Sequence, residues 1–299
     1  MTEMPTDPIY VAARSVLLDA LGALGDYRSA VVIVGAQAVY LQTGDAGLSV
    51  APFTRDGDVA LDPGPLLAAE RPLLGEVMAA AGFALRINAH GGVDPGTWMK
   101  TTTVGAAEFS VPVDLIIPLG ALPAPGKTRG ARLGAHGKTA AMQTRGLEAA
   151  LVDRQVLTVQ GLAPGDTRSA AVAVAGVGAL LVAKVIKLQE RVAGARLDRQ
   201  KDKDAGDIYR LIRTTPVDTM AARLAGLRRD HLAGAITNEA VAGLDLLFRT
   251  RRSPGVVMAR RAVEQDVPAA RINAQLTSYI RQLQEQLAES AASDTTSGQ

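Results

Sequence analysis

The chain has 299 residues, 47% of them hydrophobic, with 32 Lys+Arg against 30 Asp+Glu and a net charge of +2. That length suits two domains better than one, and so balanced a charge makes the pI of about 9.0 a weak pointer to nucleic acid. Zero cysteines exclude disulfides, thiolate metal sites and cysteine nucleophiles together, and fit a reducing cytoplasm.

The first ten residues, MTEMPTDPIY, have no basic region followed by an apolar stretch, so no signal peptide is expected. The apolar run Ala170 to Ala183 stops at Lys184, short of the ~20 residues that a bilayer needs. A soluble, cytoplasmic protein with no membrane partner is expected.

Residues 8 to 25 repeat their apolar positions at helical spacing and end on Gly25. The β-branched run SAVVIVG (29 to 35) reads as a strand, and AQAVYLQTG (36 to 44) as a short helix closed by Gly44. A Gly/Pro-containing loop (45 to 53) precedes the strand TRDGDVAL, a helix across 65 to 81, and strands near 83 to 88, 97 to 104 and 108 to 117. Residues 118 to 146 combine glycines and prolines with Lys127, Arg129, Arg132, Lys138 and Arg145, which predicts a long, mobile, basic loop. LEAALVDR, QVLTVQGL and RSAAVAVAG are three more extended candidates.

After Gly176 the pattern turns helical almost throughout: 177 to 195, 203 to 214, 216 to 229, 235 to 249, 254 to 264 and 268 to 289, with Ser253-Pro254 as cap and first position. The polar ending ESAASDTTSGQ (289 to 299) predicts a disordered tail. The expected architecture is α+β, a mixed domain over 1 to 175 followed by a helical domain over 176 to 288.

Two stretches imitate phosphate-binding loops. Gly126-Lys127-Thr128 and Gly137-Lys138-Thr139 carry Ala121 and Arg132 where such a loop needs a glycine, and Pro123 and Pro125 remove N–H groups. Likewise GVGALL (176 to 181) lacks the third glycine of a dinucleotide fingerprint. No Gly-x-Ser-x-Gly elbow occurs. His90, His136 and His231 have no metal-ligand spacing and are expected at the surface, and Trp98 in the core.

Asp56 and Asp58 stand out. In a strand, residues i and i+2 project from one face, about 6.5 Å apart along the chain. Two carboxylates so placed repel, and Mg²⁺ turns them into a pair of oxygen ligands. Asp114 lies within the apolar run SVPVDLIIP, where an unpaired charge is costly unless it meets a cation. A third carboxylate on a neighbouring strand completes a metal site of the kind that activates an attacking oxygen and steadies a leaving pyrophosphate. Gly35, at a strand end, lets phosphate approach the backbone, and a helix beginning near Ala36 aims its free N–H groups at the anion. Lys184, Lys187 and Arg191 share one helix face.

The succession VVIVGAQAVYLQTG, TRDGDVAL, VPVDLIIP, LLVAKVIKLQERV and KDKDAGDIYRLI resembles the nucleotidyltransferase superfamily, and more narrowly the AbiEii / MenT-type toxin branch of type IV toxin–antitoxin systems. The resemblance spans roughly residues 28 to 215. It implies a polymerase-β-like mixed sheet with flanking helices carrying a helical lobe, and transfer of a nucleotide from an NTP to an acceptor, for some members the 3′ end of tRNA. It also implies that Asp56 and Asp58 are the metal-binding pair, that Asp114 is the third carboxylate, and that Thr54 is the hydroxyl residue ahead of the pair. The family's triphosphate-binding lysine falls on Lys184 or Lys187, which together with Arg191 could line a phosphate groove, and its late catalytic aspartate on Asp204 or Asp207. Gly35-Ala36 departs from the usual Gly-Ser or Gly-Gly, and Gly57 replaces an apolar residue, which suggests a bulge or a close backbone approach.

The leading expectation is a Mg²⁺-dependent transferase acting on RNA, a candidate toxin with a possible antitoxin partner. Two alternatives stay open: transfer to a small-molecule or protein hydroxyl, and a nucleotide-binding regulatory module without turnover.

Overall fold

The computed structural model describes residues 7–44, 46, 48, 54–69, 71–194 and 202–296. Helix α1 (Pro8–Ala23) starts as its sequence dictates: the Asp7 carboxylate accepts from the N–H groups of Ile9 and Tyr10, with Pro8 in the first turn. Its apolar face, including Val16, Leu17 and Leu21, is buried. Strand β1 (Val31–Val34) is buried at all four positions and runs straight into α2 (Gly35–Thr43). β2 (Gly57–Leu61) follows.

One helix is expected over 65 to 81, but two form there: α3 (Pro63–Ala68), capped by the Asp62 carboxylate, and α4 (Leu74–Ala80). Pro72 between them lacks a donor and disfavours helix in the residue before it. Strands β3 (Ala84–Ile87), β4 (Val93–Val104) and β5 (Ala107–Pro118) come next.

The basic loop 118 to 146 is packed rather than loose. Ala131, Leu133, His136, Ala140 and Ala141 are buried, and β6 (Met142–Thr144) pairs parallel with β5. Gly96 makes the docking possible: with φ at +74°, a Cβ there would lie 2.2 Å from the Met142 nitrogen. His136 is therefore no surface residue. Its Nδ1 accepts from the Leu74 N–H at 3.2 Å and its Nε2 meets the Leu66 carbonyl at 3.0 Å. Neither Gly-Lys-Thr triplet leads into an α-helix.

The stretch 147 to 154, expected as a strand, forms a 3₁₀ turn at Glu148–Leu151. The buried Glu148 carboxylate accepts from the nearby Gly146 N–H and from the Gly120 N–H 28 residues earlier, and these bonds hold the turn in place of a ladder. β7 (Arg154–Gln160) and β8 (Ser169–Ala175) complete the strands. Their order is β3-β4-β5-β2-β1-β8-β7, with β6 beside β5, and the sheet is mixed: β2/β5, β1/β8 and β5/β6 are parallel, the rest antiparallel.

Helices α5 (Val177–Ala193), α6 (Lys203–Thr214), α7 (Val217–Arg229), α8 (Gly234–Phe248), α9 (Pro254–Val263) and α10 (Ala269–Thr296) follow. The change from strand to helix falls at Gly176, and Ser253-Pro254 does occupy the cap and first position of α9. α10 runs eight residues into the segment whose composition predicts disorder. Residues 297 to 299, and 195 at the expected end of the first helix, lie outside the described residues. One buried apolar cluster extends from Tyr10 to Leu287, so sheet and helices share a core. No helix among the described residues is long and apolar enough to cross a membrane.

Candidate active site

The register of the three central strands sets the geometry. Val34, the last residue of β1, lies opposite Asp58, and Asp58 is the direct neighbour of Asp114 on β5. Adjacent strands stand about 4.8 Å apart, so the two carboxylates rise side by side from one sheet face. On β5 the opposite face holds Val111, Val113, Leu115 and Ile117, all fully buried, which leaves Asp114 on the side of the cleft.

Asp56 sits just ahead of β2. Its Oδ1 accepts from the buried Thr54 hydroxyl, and its carbonyl accepts from Gln37 Nε2 at 3.1 Å. Lys203 of α6 donates to the same Thr54 Oγ1 at 2.9 Å. Gly57 makes no bulge, since its pairing with Val113 is regular; it is small because Leu17 presses on it, 3.2 Å from where a Cβ would stand.

Gly35 has two reasons to be glycine. Its φ is +69°, and a Cβ would fall 1.9 Å from Asp58 Oδ2. The start of α2 therefore lies directly against the Asp58 carboxylate. No side chain caps that helix, and Ala36 is buried, so it offers its backbone.

The electrostatics are those of crowded acids. Burial pushes the Asp58 carboxyl up to about 7, the Asp56 charge adds to this, and Lys187 opposes it. Burial also raises Asp114, against the lowering influence of Thr97. Asp114 Oδ1 is buried and, among the described residues, has no hydrogen-bond partner. Among the described residues, however, no three His, Cys, Asp or Glu side chains are gathered as a ready metal-binding group. Asp58 and Asp114 share the cleft, and Asp56 remains turned toward Thr54 at its margin.

The two candidate lysines have different surroundings. Lys184 is 6% exposed and its ammonium is held by Asp204 at 2.9 Å and Asp207 at 2.6 Å. Burial alone would lower its pKa, but the two aspartates outweigh burial and raise it. Asp204 is lowered to about 2, because Lys184, Lys187 and Arg191 overcome its desolvation. Arg191 is also ion-paired to Asp204. Lys187 is 54% exposed and 4.0 Å from Asp204.

These elements enclose a cleft of about 970 Å³. Gly35, Asp58 and Asp114 form one side, Lys184, Lys187 and Arg191 of α5 another, and Arg129, Thr144 and Arg145 face them. Thus Gly35, Asp58, Asp114, Lys184, Lys187 and Arg191 come together, whereas Asp204 and Asp207 lie behind Lys184 as its counter-ions. Trp98 is buried and donates to the Ala140 carbonyl at 2.9 Å. Gln37 and Lys203 escape a reading of the sequence, although a glutamine inside the apolar GAQAV and a lysine inside KDKD are the signals that mark them.

No protein-family model and no curated protein matches this chain. Among solved structures it is similar to the crystal structure of JHP933 from Helicobacter pylori, at 15% identity over 99% of this chain and 100% of that chain, with a TM-score of 0.44.

Proposed function

We propose that the cleft is the active site of a nucleotidyltransferase with a polymerase-β-like fold, which moves a nucleotide from an NTP to an RNA acceptor, the 3′ end of tRNA being the candidate. The observation that carries this reading is the in-register pair Asp58 and Asp114 beside Gly35 and the uncapped start of α2, with Lys187 across the same cleft.

A divalent cation fits the donor set: a buried, unpartnered Asp114 oxygen and an Asp58 carboxyl that burial and Asp56 push up to about 7 are both relieved by positive charge. Asp58 and Asp114 would hold it, with Asp56 joining them by leaving Thr54. Mg²⁺ there would neutralise phosphate charge and sharpen an acceptor hydroxyl as nucleophile. The chain's own residues do the rest. Free N–H groups at the start of α2 receive phosphate oxygens, and the missing side chain at Gly35 makes room for the Asp58 carboxylate beside them. Lys187 meets the triphosphate, while Lys184, locked between Asp204 and Asp207, holds α5 against α6. Arg129 and Arg145 offer positive charge to the acceptor's phosphates.

Lys187→Ala is expected to weaken NTP binding by about 10–100-fold, the loss of one charge-assisted bond, at under about 0.5 kcal/mol in stability because the side chain is exposed. Equilibrium titration and thermal unfolding measure the two effects. Incubating the pure protein with each α-labelled NTP, Mg²⁺ and total cellular RNA tests the function. Label in a tRNA-sized band supports it, and transfer to no RNA refutes it.

A second reading, a nucleotide-binding module without turnover, is favoured by one observation: Asp56 is engaged by Thr54, and no three-carboxylate group is assembled. It predicts NTP binding with no product from any acceptor. A toxin role with an antitoxin partner is the extension of the first reading that the family resemblance suggests.

A further inference from the structure

Arg14 is buried in α1, and among the described residues no carboxylate pairs with it. Its guanidinium is nonetheless spent on neutral acceptors: Nε donates to Gln37 Oε1 at 2.8 Å, Nη2 to the Tyr10 hydroxyl at 2.8 Å and Nη1 to the Gln160 carbonyl at 3.3 Å. A buried cation satisfied this way is costly, so its placement calls for a reason. Gln37, 1% exposed, stands between Arg14 and the Asp56 backbone.

Arginine can only donate, so the Gln37 amide has one orientation here: oxygen toward Arg14, NH₂ toward the Asp56 carbonyl. Glutamate could accept from Arg14 but could not donate to that carbonyl. The residue type is thus set by the need to hold Asp56 by its main chain while its side chain is engaged by Thr54.

We propose that Gln37, oriented by Arg14, is a positioning residue that fixes the Asp56 backbone so that its carboxylate can turn from Thr54 into the metal site. The inference rests on the reading of the cleft as a divalent-cation site. Outer partners of this kind typically change metal affinity about 10–100-fold when removed.

Two variants of the full chain test it, Gln37→Glu and Gln37→Met, with Asp58→Asn as control. Calorimetric titration with Mn²⁺ in the presence of NTP reads the site, and thermal unfolding reads the fold. Gln37→Glu keeps the volume and gives Arg14 a charged partner, so its melting temperature is expected to match or exceed that of the wild type. Mn²⁺ affinity is expected to fall about tenfold, with Gln37→Met behaving alike in affinity. Wild-type Mn²⁺ binding that Asp58→Asn removes and both Gln37 variants retain would overturn the positioning role and leave the cleft reading intact. No Mn²⁺ binding by the wild type overturns both. Loss of fold in both Gln37 variants also overturns it, since a positioning residue leaves a folded protein with a weak site.

Discussion

If the cleft works as proposed, Asp58→Asn is expected to abolish nucleotide transfer and at the same time to make the metal-free protein more stable above pH 7. The two effects come from one charge. With metal and NTP present, the proposed function makes the carboxylate a ligand, and its removal would take away several kcal/mol of transition-state stabilisation, a loss of roughly 10³-fold or more in rate. In the metal-free protein it is a crowded acid whose folded pKa is about 7 against an ordinary 3.8. A raised folded pKa means that the folded state binds the extra proton. Its stability is full below about pH 4 and falls as pH rises through 7, by on the order of 2–4 kcal/mol. Asparagine cannot lose that proton, so the variant's unfolding free energy should decline less over this window than the wild type's, the raised Asp114 contributing to both. Saturating Mg²⁺ and NTP should narrow the difference by stabilising only the wild type. Chemical denaturation at pH 5 and pH 8 measures it; identical slopes for the two proteins would remove the crowded-acid account.

The largest loss of stability is expected from Lys184→Met. Lys184 neutralises Asp204 and Asp207, both buried. Methionine fills the same volume and leaves two carboxylates in the interior, with Arg191 and the more distant Lys187 to answer Asp204. Breaking a buried pair from one side costs about 3–5 kcal/mol, or a drop of roughly 10 °C in melting temperature. Adding Asp204→Asn and Asp207→Asn should restore most of this, because amides need no counter-charge. Differential scanning calorimetry on the single and triple variants decides. A single variant as stable as wild type would show that the cluster does not hold α5 to α6. The contrast with Lys187→Ala, three residues away on the same helix, separates the structural lysine from the one open to ligand.

Much of the fold is legible because its signals are local. The glycine-ended apolar run became β1, the periodic stretches after Gly176 became α5 to α10, and Ser253-Pro254 marks the start of α9. What fails is decided at long range. The loop 118 to 146 reads as loose from its glycines, yet packs because Gly96, far earlier in the chain, leaves space for it. His136 is buried by α3 and α4, whose break at Pro72 the helical period hides. The stretch 147 to 154 has strand-like composition but follows its buried glutamate into a turn.

The site shows the same division. Asp56, Asp58 and Gly35 stand out by spacing, and Asp114 by its apolar surroundings. The choice between Lys184 and Lys187 is invisible in sequence, since both lie on one face of α5, and only the position of α6 assigns the aspartates to Lys184. Gln37 and Lys203 act through partners that spacing alone does not reveal: the Asp56 carbonyl 19 residues on, and Thr54, 149 residues away.

The most direct measurement is anomalous diffraction from crystals of the protein soaked with Mn²⁺ and a non-hydrolysable NTP. A manganese peak is expected within coordination distance of both Asp58 and Asp114, with the triphosphate reaching from the start of α2 to Lys187. Manganese bound elsewhere, or nucleotide bound with those two carboxylates untouched, would contradict it.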